Sequence, residues 1–133
     1  MRSLGADGEV TVLLVEDDPQ VAQLLILLAA GRSPLFAFEC AEDLVSGARL
    51  LAKGRVSVAL LDLSAAGRVA DALEALRSKS PGIPIVALLN PGEEPLGLEA
   101  VRQGASGYLV KGRLGAASLR GALAEAAGLA AAV

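Results

Sequence analysis

Apolar residues follow two alternating rhythms along the chain. Short runs rich in Val, Leu and Ile are separated by stretches in which apolar positions recur every three to four residues. The run at 56–63, VSVALLDL, is almost unbroken and ends on a carboxylate, Asp62. Such a run suits a strand buried on both faces of a parallel sheet. Similar runs at 10–15 (VTVLLV), 35–39 (LFAFE), 83–89 (IPIVALL) and 107–111 (GYLVK) predict four more strands. Between them, helical spacing predicts helices from Pro19 to about Ala30, over 42–52, from about Val69, over 95–103, and from Ala116 to about Ala127.

The predicted inward faces are specific. In the first helix Val21, Leu24, Leu25 and Leu28 fall at helical spacing, with Ile26 and Leu27 widening the stripe toward the core. Asp18 before Pro19 is the N-cap, since Pro suits the first helical position and Asp the one before it. Leu44, Ala48 and Leu51 face inward in the second helix, Val69, Leu73 and Leu76 in the third, and Leu119, Leu123 and Ala126 in the fifth. The fourth carries two Pro and several Gly around its start and is expected to be the loosest element. Five strands alternating with five helices predict βα units, a parallel sheet and helices on both faces.

Composition narrows the class. At 133 residues, 53% apolar and 20% charged, the chain is long enough for one folded domain with a real core. Aromatics are 2% and net charge is −3, so neither base-stacking platforms nor a basic surface argue for nucleic acid. With no His and one cysteine, Ser/His and Cys/His nucleophilic pairs are excluded and a zinc site is disfavoured. Cys40 is read as a small buried hydrophobe. No apolar segment is long enough to span a bilayer, no secretory signal pattern opens the chain, and a cytoplasmic location is expected. Residues 1–9 are expected to be a frayed lead-in, 10–127 the domain, and 128–133 a helix end or tail.

The chemistry collects at strand ends. In a parallel sheet every strand points its carboxyl end the same way, toward the edge where open α/β folds bind ligands. Glu16 and Asp17 follow the first strand, Asp62 ends the third and Lys111 ends the fifth. Taken singly, each is an ordinary strand-end charge or helix cap. Together, three carboxylates repel one another, and a hard divalent cation such as Mg²⁺ relieves that repulsion. A carboxylate beside the metal can attack phosphorus to give an acyl phosphate, and a nearby ammonium can neutralise the incoming oxygens.

The segments LLVEDDP, VALLDL and GASGYLVKG resemble the signature segments of bacterial two-component response-regulator receiver domains. The resemblance runs from about Val10 to Ala127. It implies a flavodoxin-like (βα)5 fold, a doubly wound five-stranded parallel sheet in strand order 2-1-3-4-5. It also implies that Glu16, Asp17, Asp62 and the Ser64 backbone carbonyl hold Mg²⁺. Asp62 would accept a phosphoryl group from a histidine kinase or phosphotransfer protein, Lys111 would contact the phosphate, and Tyr108 would be the switch aromatic. An output domain or partner is expected on the face formed by the fourth helix, fifth strand and fifth helix. Such a domain is a phosphoacceptor, not an enzyme acting on other substrates. No output domain is recognisable in the sequence, so the domain is expected either to dock onto partners or to be part of a longer protein.

Two departures from that pattern stand out. The switch Ser or Thr falls on Leu89, which cannot donate a hydrogen bond; Asn90 supplies a donor only if the register slips by one. The loop SAAGRVAD after Leu63 lacks the family's proline, and Gly112 follows Lys111 where proline is usual. The alternative is therefore a pseudo-receiver, an interaction module that keeps the fold without the phosphorylation switch. A phosphohydrolase with an Asp nucleophile is disfavoured, because the second Asp that such enzymes carry two residues on is Ser64 here. No phosphate-binding glycine motif follows the first strand.

Overall fold

The computed structural model describes residues 8–31, 33–64 and 66–129. Five strands alternate with five helices: β1 (Glu9–Val15), α1 (Pro19–Ala29), β2 (Leu35–Ala41), α2 (Leu44–Leu51), β3 (Val58–Asp62), α3 (Val69–Arg77), β4 (Ile85–Leu89), α4 (Glu94–Arg102), β5 (Gly107–Val110) and α5 (Ala116–Ala126). The strands form one sheet in the order β2-β1-β3-β4-β5, and every neighbouring pair is parallel. This is the flavodoxin-like order.

Successive side chains in a strand point to opposite faces, and that alternation sorts the core into two layers. Leu13, Val15, Ala59, Leu61, Ile85, Ala87 and Leu89 pack with Leu51, Leu73, Leu76 and Ala100, so α2, α3 and α4 cover one face. Val12, Leu14, Val58, Leu60, Val86 and Leu88 pack with Leu25, Ala29, Leu119 and Leu123, so α1 and α5 cover the other. β3 and β4 are buried at every position, which is why their sequences lack polar alternation.

Helix starts follow local chemistry. The Asp18 carboxylate accepts from the amides of Gln20 and Val21, at 2.9 and 3.4 Å, and Pro19 opens α1. Asp43 caps α2 by accepting from the Ser46 amide at 2.8 Å, and the helix begins at Leu44, two residues past the expected start at 42. Gly47 in α2 sits so close to the sheet that a Cβ there would lie 2.9 Å from Val15 Cγ2.

Several sequence expectations need correction. Leu24 is 57% and Leu27 62% exposed. The row Val21, Leu25 and Ala29 faces the sheet, and Leu24 and Leu27 are turned away from it. Cys40 is exposed, not buried. β2 runs to Ala41 and has a neighbour on one side only, so its end leaves the thiol uncovered. Glu9, expected in a lead-in, already belongs to β1; the remainder of that expectation over 1–7, and of the tail over 130–133, lies outside the described residues.

The two layers make a quantitative expectation. Leu60 is fully buried, so Leu60→Ala should cost about 2–5 kcal/mol, whereas Leu24→Ala should stay within about 0.5 kcal/mol. Urea unfolding followed by circular dichroism measures both, and a Leu24 loss equal to that of Leu60 would contradict the assigned face of α1.

Candidate functional site

Strand register brings the acidic residues together. Val15 of β1 is level with Leu61 of β3, so the next residues, Glu16 and Asp62, leave adjacent strands side by side. The backbone holds them there: the Glu16 amide donates to the Ala41 carbonyl at 3.0 Å, and the Leu63 amide to the Leu88 carbonyl at 3.0 Å. On the far side of β4, the Lys111 amide donates to the Leu89 carbonyl at 2.8 Å. β5 lies two strands from β3, about 10 Å at the usual spacing, so only a long side chain can bridge the gap.

Lys111 does so. Its Nζ lies 2.8 Å from Glu16 Oε1 and 3.1 Å from Asp62 Oδ2. The Glu16 and Asp62 side chains are 1% and 3% exposed, and Lys111 17%. Ligand oxygens of Glu16, Asp17 and Asp62 come within 4.8 Å of one another, with Asp17 on the exposed side. The carboxylates open into a cleft of about 220 Å³ that Glu42, Asp43 and Leu44 also line. The sequence reading did not single out Glu42 or Asp43, and the carboxylate of Asp43 is engaged in capping α2.

Neighbouring groups finish the arrangement. Glu16 Oε2 accepts from the Asp18 amide at 3.2 Å, which turns the chain into α1. The Ser64 amide donates to Asp62 Oδ1 at 3.0 Å. Ser64 Oγ donates to Glu93 Oε1 at 3.0 Å, joining the loop after β3 to the loop after β4. Glu93 is a residue that sequence reasoning missed.

The two buried carboxylates titrate in opposite directions. Burial raises the Glu16 pKa above its usual value, and the Lys111 ammonium only partly offsets this. Burial acts on Asp62 in the same sense, but the Ser64 amide and Lys111 outweigh it and hold the group below its usual value. For Lys111, contact with Glu16 and Asp62 outweighs burial and raises the pKa. The linkage signs follow. Asp62 favours the folded state above the ordinary aspartate range, and that contribution fades as pH falls through the lowered value. Ionisation of Glu16 opposes folding as pH rises past the ordinary glutamate range.

Hard oxygen donors are the right chemistry for Mg²⁺. The acidic cluster therefore fits a divalent ion.

The other predicted residues lie close by. Leu89 is 0% exposed at the end of β4, and Tyr108 on β5 packs against the same core layer. Both press on α4: a Cβ at Gly97 would fall 2.6 Å from Tyr108 Cγ and 2.7 Å from Leu89 Cδ1. Asn90 is exposed beyond the strand, and its amide donates to Glu93 Oε1 at 2.7 Å.

Comparison with known proteins agrees with this fold. Residues 12–123 match the family profile described as response regulator receiver domain. The N-terminal signal receiver domain of a two-component response regulator from Bacteroides fragilis is 25% identical, with a TM-score of 0.77 over 96% of this chain and 100% of that one. A LuxR-family two-component response regulator from Aurantimonas sp. is 25% identical, with a TM-score of 0.75 over 91% and 87%. NtrX from Brucella abortus, solved in complex with ADP, is 20% identical, with a TM-score of 0.75 over 89% of this chain and only 27% of NtrX. No curated protein sequence matches the chain.

The ammonium is what keeps two buried carboxylates tolerable. Lys111→Met should destabilise the protein by about 1–3 kcal/mol, below the figure for a fully buried pair because the site opens to solvent on one side. Adding Asp62→Ala to that variant should recover part of the loss by removing one of the repelling charges. Urea denaturation of the double-mutant cycle reads this directly; strictly additive losses would show that the three charges are not coupled.

Proposed function

This chain belongs to the response regulator receiver domain family, and on that premise we propose that Asp62 accepts a phosphoryl group from a histidine kinase or phosphotransfer protein in two-component signal transduction. The family is one of signalling domains, not of classical enzymes. The observation that carries the reading is the convergence of Glu16, Asp17 and Asp62 with Lys111 at one sheet edge.

In the proposed step an oxygen of the Asp62 carboxylate attacks the phosphorus of a phosphohistidine. The N–P bond breaks as the O–P bond forms, leaving an acyl phosphate on Asp62 and a free imidazole on the donor. Hydrolysis of the acyl phosphate returns Asp62 and inorganic phosphate. The ammonium of Lys111 is held where it can pair with the phosphoryl oxygens. Glu16, Asp17, Asp62 and the Ser64 backbone carbonyl would hold Mg²⁺, which would supply positive charge to the developing phosphoryl oxygens. The lowered pKa of Asp62 keeps its carboxylate ionised and nucleophilic at neutral pH.

Partner contact is proposed on the face formed by α4, β5 and α5. Leu98 and Val101, one turn apart on α4, are 49% and 42% exposed, and apolar side chains left in solvent there favour a protein partner. Among the described residues no helix is long and apolar enough to cross a membrane, and we place the domain in the cytoplasm with its kinase.

A second reading, the pseudo-receiver, is favoured by one observation. Leu89 and Tyr108 are packed against Gly97, with no hydroxyl at the end of β4. In that reading the domain binds partners without a hydroxyl-and-aromatic switch. Leu89→Thr would restore the donor.

Treatment with a small phosphodonor and Mg²⁺ should add one phosphoryl group to the intact protein, seen by mass spectrometry. Asp62→Ala should abolish the adduct, and omission of Mg²⁺ should lower its yield at least about tenfold, the effect of losing roughly 1.4 kcal/mol of transition-state stabilisation. An unmodified wild-type protein would favour the pseudo-receiver.

A further inference from the structure

With a leucine at the end of β4, the acceptor site has no hydroxyl at that position to link it to α4. The structure supplies a different link. The turn after β4, Asn90-Pro91-Gly92-Glu93, is closed by the Glu93 amide donating to the Asn90 carbonyl at 3.1 Å, with Gly92 at φ 89°. The Glu93 carboxylate folds back onto the Asn90 amide at 2.7 Å and accepts from Ser64 Oγ at 3.0 Å through the same oxygen, Oε1. The Glu93 carbonyl accepts from the Leu96 amide at 2.8 Å, the first bond into α4. Glu93 makes no side-chain cap to α4, so its carboxylate is committed to the turn and to Ser64. Ser64 in turn touches Asp62 through its amide, at 3.0 Å.

We propose that Glu93 is a positioning residue that couples the state of Asp62 to the start of α4 through Ser64, a route separate from the one Leu89 closes. This inference rests on the phosphoacceptor reading of Asp62. A serine hydroxyl has one hydrogen and serves one acceptor at a time. A phosphoryl group on Asp62 brings anionic oxygens to the Ser64 side of the site and competes for that hydrogen. The added negative charge also repels the Glu93 carboxylate. Both effects release Glu93 from Ser64, and with it the turn and first bond of α4. The loosening stops at Gly97, where α4 is pressed against Tyr108 and Leu89. The response is therefore local: residues 90–96 loosen while Ala100 and Val101 do not.

The test uses the whole chain with acetyl phosphate and Mg²⁺, reading intact mass and amide hydrogen exchange together. In the wild type, adduct formation should speed exchange about tenfold at Asn90, whose amide loses the Glu93 carboxylate, and at Glu93 and Leu96, whose amides lose the Asn90 and Glu93 carbonyls as the turn opens, and leave Ala100 and Val101 unchanged. Glu93→Ala should exchange fast at those three amides before any donor is added. It should form the adduct with no further rise. Glu93→Gln keeps an oxygen acceptor for both donors and should restore the slow exchange of the unmodified wild type. An adduct with unchanged exchange at Asn90, Glu93 and Leu96 would overturn the coupling and leave the acceptor reading intact. Slow exchange in unmodified Glu93→Ala would overturn it as well. Absence of any wild-type adduct would overturn the acceptor reading and the coupling together.

Discussion

One ammonium between two buried carboxylates is the interaction on which the site depends. Lys111 Nζ lies within 3.1 Å of both Glu16 and Asp62, and the strands that carry the three residues are not all neighbours. A lone carboxylate with only 1% or 3% of its side chain exposed would be driven toward protonation. With Lys111 present, Asp62 stays ionised while Glu16 bears the cost of burial. The ion pair keeps a charged oxygen at the carboxyl edge of the sheet.

The sheet makes that arrangement possible. Parallel strands discharge their ends at one edge, and the ladder extends past the last regular residue of β1, β3 and β5 to fix Glu16, Leu63 and Lys111 by their amides. β3 and β4, covered on both faces, carry no polar residue before Asp62, so the charge they bring emerges at the strand end. Rigid elements therefore hold Asp62, while the turns around it carry the adjustable contacts.

Leu89 sets the packing beside the site. A leucine at the end of β4 adds apolar volume there, and Gly97 lets α4 close down on it and on Tyr108. A side chain at Gly97 would force the helix outward. Close packing here fixes the middle of α4, and a polar contact ties the residue before its first turn to the loop after β3.

Hydrophobic rhythm determined the order of elements, because period 2 and period 3.6 are local properties that survive in the sequence. It also determined the cluster, since charged residues that follow the strands of a parallel sheet emerge at one edge. Glu16, Asp17, Asp62 and Lys111 were legible for that reason. Only the tertiary structure decided which apolar residues stay exposed: Leu24 and Leu27 lie on the same helix as buried Leu25, and the direction from which the sheet approaches has no local signature. Cys40 looked buried by residue type, yet its strand lies at the edge of the sheet. The bond between Ser64 and Glu93 joins two turns that are distant in sequence, and no periodicity records such a pairing; it exists because β3 and β4 end side by side.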